Sequence, residues 1–110
     1  MKGPFRLQVD LSSAGALQVP NSDTILFVDG IESMDTMYYR WTGDAVSTGE
    51  VAARLRCSPD EADGGEVNTL TLDGAINSLD VKGAAALDFN VTTTEAGVSG
   101  ELNLFIRRDS

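Results

Sequence analysis

Along most of this chain apolar and polar residues exchange places at every second position. Phe5, Leu7, Val9 and Leu11 alternate with Arg6, Gln8 and Asp10. A period of two sends one set of side chains into a core and the other into water, so this stretch predicts a half-buried strand. The same pattern recurs over Asp35–Thr42, where Met37, Tyr39 and Trp41 share a face. It recurs over Glu50–Cys57 with Val51, Ala53, Leu55 and Cys57 set against Arg54 and Arg56. It returns over Ala84–Thr93 with Ala85, Leu87, Phe89 and Val91, and it ends in Leu102, Leu104 and Ile106. Shorter strands are predicted at Ala16–Val19, Thr24–Val28 and Thr69–Leu72, where β-branched and apolar residues lie between turn formers.

Turn chemistry punctuates these runs: Ser12–Gly15, Asn21–Asp23, Gly43-Asp44, the acidic loop Ser58–Glu66 and Gly97–Gly100. No segment carries a strong period of 3.6. About eight short strands with Gly, Asp, Ser and Pro turns predict one all-β domain over residues 1–110, an antiparallel β-sandwich or jelly roll with one wet side to each sheet.

Within that pattern lies an internal echo. Val28-Asp29-Gly30 with Ser33-Met34-Asp35 is answered by Leu72-Asp73-Gly74 with Ser78-Leu79-Asp80. Thr48-Gly49-Glu50-Val51 is answered by Ser99-Gly100-Glu101-Leu102, and each second block runs on to an arginine, Arg56 or Arg107. The expectation is a pseudo-repeat over 28–56 and 72–107, with Asp-Gly and Gly-Glu serving as turns; chance likeness in a turn-rich β protein is the alternative.

Charge changes the picture of partners. Seventeen acids against eight bases give a net charge of −9, which repels nucleic-acid backbones and anionic membranes. The chain has no histidine and one cysteine. A Ser-His-Asp or Cys-His centre therefore cannot be assembled, nor a zinc site of the Cys/His kind, nor a disulfide within the chain. Cys57 alternates with apolar neighbours and is expected in the core. No cofactor is expected. The N-terminus has no apolar signal-like run, which predicts a product made in the cytoplasm and not exported by a visible signal.

Three groups remain as candidates. Asp60, Asp63 and Glu66 concentrate acidic oxygens that suit Ca²⁺, although the spacing is not that of an EF-hand; a solvated acidic loop is the default. Tyr38 and Trp41 are aromatic groups of the kind that stack on sugar rings in a carbohydrate-binding module, while the alternation favours a core role for Trp41 and an exposed one for Tyr38 beside Arg40. Lys2 and Arg6 near the start and Arg107 and Arg108 near the end form a basic patch if the terminal strands lie together. Such a patch suits docking on an acidic protein surface, or self-association between acidic and basic ends. Lys2, Arg6, Tyr38, Arg40, Arg107 and Arg108 are thus the interaction candidates.

The order of elements over Val28–Asp60 and Leu72–Arg108 resembles the small β-sandwich structural proteins of tailed bacteriophage virions, including capsid decoration proteins. In both segments an Asp-Gly entry leads into an alternating strand. A Thr/Ser-Gly turn and a strand closing on arginine follow. The resemblance implies a non-enzymatic virion protein that binds the major capsid protein on the outer shell and bridges capsomers. It also implies small homo-oligomers, trimers above all, and assembly in a host cytoplasm. A tail or baseplate accessory domain is the alternative within the same class.

Overall fold

β1 and β9, at opposite ends of the chain, lie side by side. In the computed structural model residues 2–17, 25–26, 35–57 and 66–108 are described. They form β1 (Lys2–Asp10), β2 (Gly15–Ala16), β3 (Ile25–Leu26), β4 (Thr36–Gly43), β5 (Glu50–Arg56), β6 (Glu66–Thr69), β7 (Ile76–Asp80), β8 (Ala86–Thr93) and β9 (Ser99–Arg107). One antiparallel sheet has the order β1-β9-β4-β7, and the second has β2-β8-β5-β6. β3 also pairs with β8. Gly15 and Ala16 stand opposite Val91 and Asn90, and Ile25 and Leu26 stand opposite Asp88 and Leu87. β2 and β3 are therefore two pieces of one interrupted edge. The protein is a small all-β sandwich, as the alternation predicts, with no helix among the described residues.

The core follows from the period of two. β1 contributes Leu7 and Val9, β4 contributes Met37, Tyr39 and Trp41, and β9 contributes Leu102, Leu104 and Ile106. Facing them are Val51, Ala53 and Leu55 of β5 and Leu87, Phe89 and Val91 of β8. Each Leu-sized side chain buried here contributes about 1.5–3 kcal/mol. Tyr39 reaches across the sandwich, where its hydroxyl accepts the Thr71 N–H at 2.9 Å, so its one polar atom is satisfied in a buried position.

Several sequence expectations need correction. Cys57 is exposed, because β5 ends at Arg56 and the alternation does not carry beyond the strand. The strand expected at Thr69–Leu72 lies earlier, at Glu66–Thr69. After it Leu70 turns into the core, its N–H donating to the Val51 carbonyl at 2.8 Å, and the next N–H goes to Tyr39. Gly100 is inside β9, opposite both Val9 and Gly43, and is not part of a turn. β7 was not expected at all. Nor is the second sheet wet over all of its outside: Ala52, Ala86, Asp88 and Arg56 are buried at the centre of that face, while Val67 and Thr69 of β6 are exposed.

The echoed blocks occupy defined places. Glu50-Val51 opens β5 and Gly100-Glu101 lies near the start of β9, central strands of opposite sheets. Asp73 and Asp80 act as turn residues, accepting the N–H groups of Ala75 and Lys82 at 3.0 and 2.9 Å. Asp29 and most of the first block lie outside the described residues.

Candidate interaction face

The four-stranded sheet turns its even-numbered β1 and β4 residues and its odd-numbered β9 residues outward. The register sets them in rows across the strands. Arg6, Asn103, Arg40 and Ile76 form one row, and Gln8, Glu101 and Thr42 form the next. On the other side of the arginine row, Tyr38 stands beside Phe105, followed by Arg107 beside Thr36. The terminal strands thus bring together what the sequence separates by about the whole chain.

Tyr38 and Phe105 are stacked, with ring centroids 5.4 Å apart and planes 20° apart. The Arg107 guanidinium lies 4.4 Å from the Tyr38 centroid and 6.0 Å from that of Phe105. A cation over such a ring near the surface contributes roughly 0.5–1 kcal/mol. Arg40 is anchored by its Nε, which donates to the Gly74 carbonyl at 2.9 Å. Gln8 Nε2 donates to Glu101 Oε2 at 2.7 Å, and Asn103 Nδ2 donates to Thr42 Oγ1 at 3.4 Å. These bonds fix the outward residues on a rigid sheet.

Between the Glu101 row and the end of the sheet the face is hollowed. A shallow, open depression of about 420 Å³ is bordered by Gln8, Asp10, Thr42, Ser99 and Glu101, with the backbone of Val9 and Gly100 as its floor. Asp10 is held below the usual carboxylate range by the Ser12 hydroxyl and then by the Ser12 N–H, so this end of the face stays anionic.

Of the sequence candidates, Arg6, Tyr38, Arg40 and Arg107 share this face. Lys2 stands opposite Ile106 on the same strand pair, and Arg108 follows β9 and is exposed. Of the eight basic residues of the chain, Arg54 and Arg56 instead flank Asp88 on the other sheet, and Lys82 lies in the turn after β7. The other five sit on or beside β1, β4 and β9. Phe105, Asn103 and Glu101 were missed by sequence reasoning. The signal was available: if Leu104 and Ile106 point inward, Phe105 must point out.

Trp41 does not join Tyr38 in a sugar-stacking platform. The two lie on opposite faces of β4, Trp41 is 3% exposed, and its Nε1 donates to the Asp44 carbonyl at 2.9 Å. Asp60 and Asp63 lie outside the described residues, and Glu66 opens β6. Among the described residues no three His, Cys, Asp or Glu side chains are placed to hold a metal ion.

Two further polar clusters brace the sandwich. Glu95 Oε1 accepts the N–H groups of Ser47, Thr48 and Gly49 at 2.9, 2.6 and 2.8 Å, which ties the β4–β5 loop to the β8–β9 loop. Asp88 accepts Arg56 Nε at 3.0 Å through Oδ2, while its Oδ1 lies 3.5 Å from Arg54 Nε. No protein-family model, curated protein or solved structure matches the chain.

Proposed function

We propose that this chain is a non-enzymatic structural protein of a virion, a capsid decoration protein that binds the outer shell in many copies and bridges capsomers. The observation that carries the reading is the gathering of Arg6, Arg40 and Arg107 on one sheet face, with Arg108 just past β9, beside the Tyr38–Phe105 stack, on a chain of net charge −9. Arginine and aromatic side chains are the types enriched at protein–protein contacts. A local basic surface orients the molecule toward acidic protein surfaces, while the net charge of −9 repels polyanions. The resemblance of Val28–Asp60 and Leu72–Arg108 to virion sandwich proteins names the assembly.

Modest contacts suffice for such a role, because repetition over a lattice supplies avidity. The test is co-sedimentation of the purified chain with bare mature capsids of a tailed phage. Saturation at a fixed, lattice-defined number of copies per shell is expected. Failure to bind any mature shell, with the chain folded, would overturn the reading.

A further inference from the structure

We infer that the outer face of the β1-β9-β4-β7 sheet is a two-fold interface between two copies of this chain. The inference takes from the reading above only that this face meets protein; the partner it names there is a second copy of the chain, which leaves other surfaces of the dimer to the shell.

Charge is ordered along the strands of this face. The Arg6–Asn103–Arg40 row is cationic. The neighbouring Gln8–Glu101–Thr42 row is anionic, and Asp10 extends the negative end. Successive outward rows are about 7 Å apart, two residues at the antiparallel rise. A face whose sign reverses along one direction is complementary to itself turned end for end. The operation is a two-fold axis lying across the strands, between the arginine row and the Glu101 row. It is isologous, so every contact is made twice.

This operation sets the Glu101 carboxylate of one copy over Asn103 of the other, between Arg6 and Arg40. The reciprocal contact follows by symmetry. Stacking about the axis also carries the half-buried Tyr38–Phe105 pair over the depression of about 420 Å³ bordered by Asp10 and Ser99. Ring pair meets hollow, and cation meets anion, under one symmetry element. The alternative two-fold, with its axis along the strands, would set the arginine rows against each other. Twisted sheets stacked face to face diverge by about 30°, so the contact is confined to the central rows. Such a patch falls near the lower limit of specific interfaces, about 1,000 Å² in total, the size class of weak and transient contacts.

The experiment is sedimentation equilibrium of the intact chain across a concentration series. The expected mass rises from 11.7 kDa toward twice that value. Association should weaken at least about tenfold between low salt and about 0.5 M NaCl, as exposed charge pairs are screened. Arg40→Glu and Glu101→Arg should each weaken it by about tenfold or more, with folding checked by circular dichroism. Arg6→Glu replaces the first variant if that one unfolds. An equimolar mixture of the Arg40→Glu and Glu101→Arg chains should associate more tightly than either variant alone, though short of wild type because the arginine introduced at 101 also faces a native Arg6. In that heterodimer one contact joins native Arg40 to native Glu101, and the other joins the two substituted positions with opposite signs. A chain that stays monomeric throughout, a dimer indifferent to both reversals, or a mixture that fails to associate would each overturn the inference. A monomer that still coats capsids would overturn the two-fold and leave the shell reading standing. A charge-dependent dimer that binds no shell would support the two-fold and remove the shell.

Discussion

The indole ring of Trp41 occupies the space that a side chain at Gly100 would need. A Cβ at position 100 would stand 2.5 Å from the Trp41 Cζ2 and 2.6 Å from the Thr42 carbonyl oxygen. The strands approach closely at this row, since a Cβ at Gly43, which has a φ of +143°, would stand 2.5 Å from the Gly100 Cα. The absent side chain is therefore what lets the only tryptophan close that end of the core.

Gly100→Ala is accordingly expected to destabilise the fold by about 2–3 kcal/mol, because the ring must leave its place and the core repacks around it. Gly100→Val should cost more. The measurement is the urea midpoint followed by Trp41 fluorescence, with a red-shifted native emission in the variant. An unshifted spectrum and an unchanged midpoint would show that the ring does not depend on this glycine.

A second prediction concerns acid. The Gly49 N–H, then the Thr48 N–H, hold the Glu95 carboxyl below its ordinary value, with Ser47 adding to them. The folded state therefore binds the proton less readily than the unfolded one. The stabilisation is present above the ordinary glutamate value of about 4.5 and is lost as pH falls through the lower folded value. Glu95→Gln keeps an acceptor oxygen but loses the charge. Its Tm should lie below that of the wild type near neutrality, and the two should converge at low pH. Asp10 and Asp73 are depressed in the same direction by their own turn hydrogen bonds, but both are present in either protein and cancel in the difference. A Tm gap that persists unchanged in acid would assign Glu95 a role independent of its charge.

How far the chain could be read depended on whether a strand buries one face. β1, β4, β5, β8 and β9 all do, and their alternation was plain. β7 does not. Its sequence, Ile76-Asn77-Ser78-Leu79-Asp80, has no continuous apolar face: Ile76 is 66% exposed, Leu79 packs partly against the core, and the backbone pairs with β4. The flanking Asp73 and Asp80 disguised it further as a turn. The candidate face was half legible, since Arg6, Tyr38, Arg40 and Arg107 have outward parity. The sign reversal along it depends on which strand neighbours which, and no local pattern encodes that. The covered outside of the second sheet was not legible for a related reason. Arg56 and Asp88 read as solvated charges until β5 and β8 are placed side by side.

Cys57 offers a check on the end of β5. Exposed just past the strand, its thiol should react with a maleimide or aromatic disulfide in native buffer, to one equivalent and within about tenfold of the rate in urea. Cys57→Ser should change stability by no more than about 0.5 kcal/mol, the ordinary range for a surface substitution. A thiol that reacts only after unfolding would restore the core position that alternation suggested.

The covered charges of the second sheet make the strongest prediction. Asp88 is 5% exposed and Arg56 9% exposed, and their side chains are bonded directly, with Arg54 on the other carboxylate oxygen. Removing one member of a buried ion pair costs about 3–5 kcal/mol, because the remaining charge has lost the partner that offset its desolvation. Asp88→Ala takes away the anion from between two guanidinium groups and should fall in that range by urea denaturation. Adding Arg56→Met to Asp88→Ala removes one of those charges and keeps most of the side-chain volume. The double variant should recover about 1 kcal/mol or more, a non-additivity expected of contacting groups. If Asp88→Ala costs less than about 1 kcal/mol, or the double variant is simply the sum of its parts, then the cluster is hydrated in solution and the outside of the second sheet is open to water.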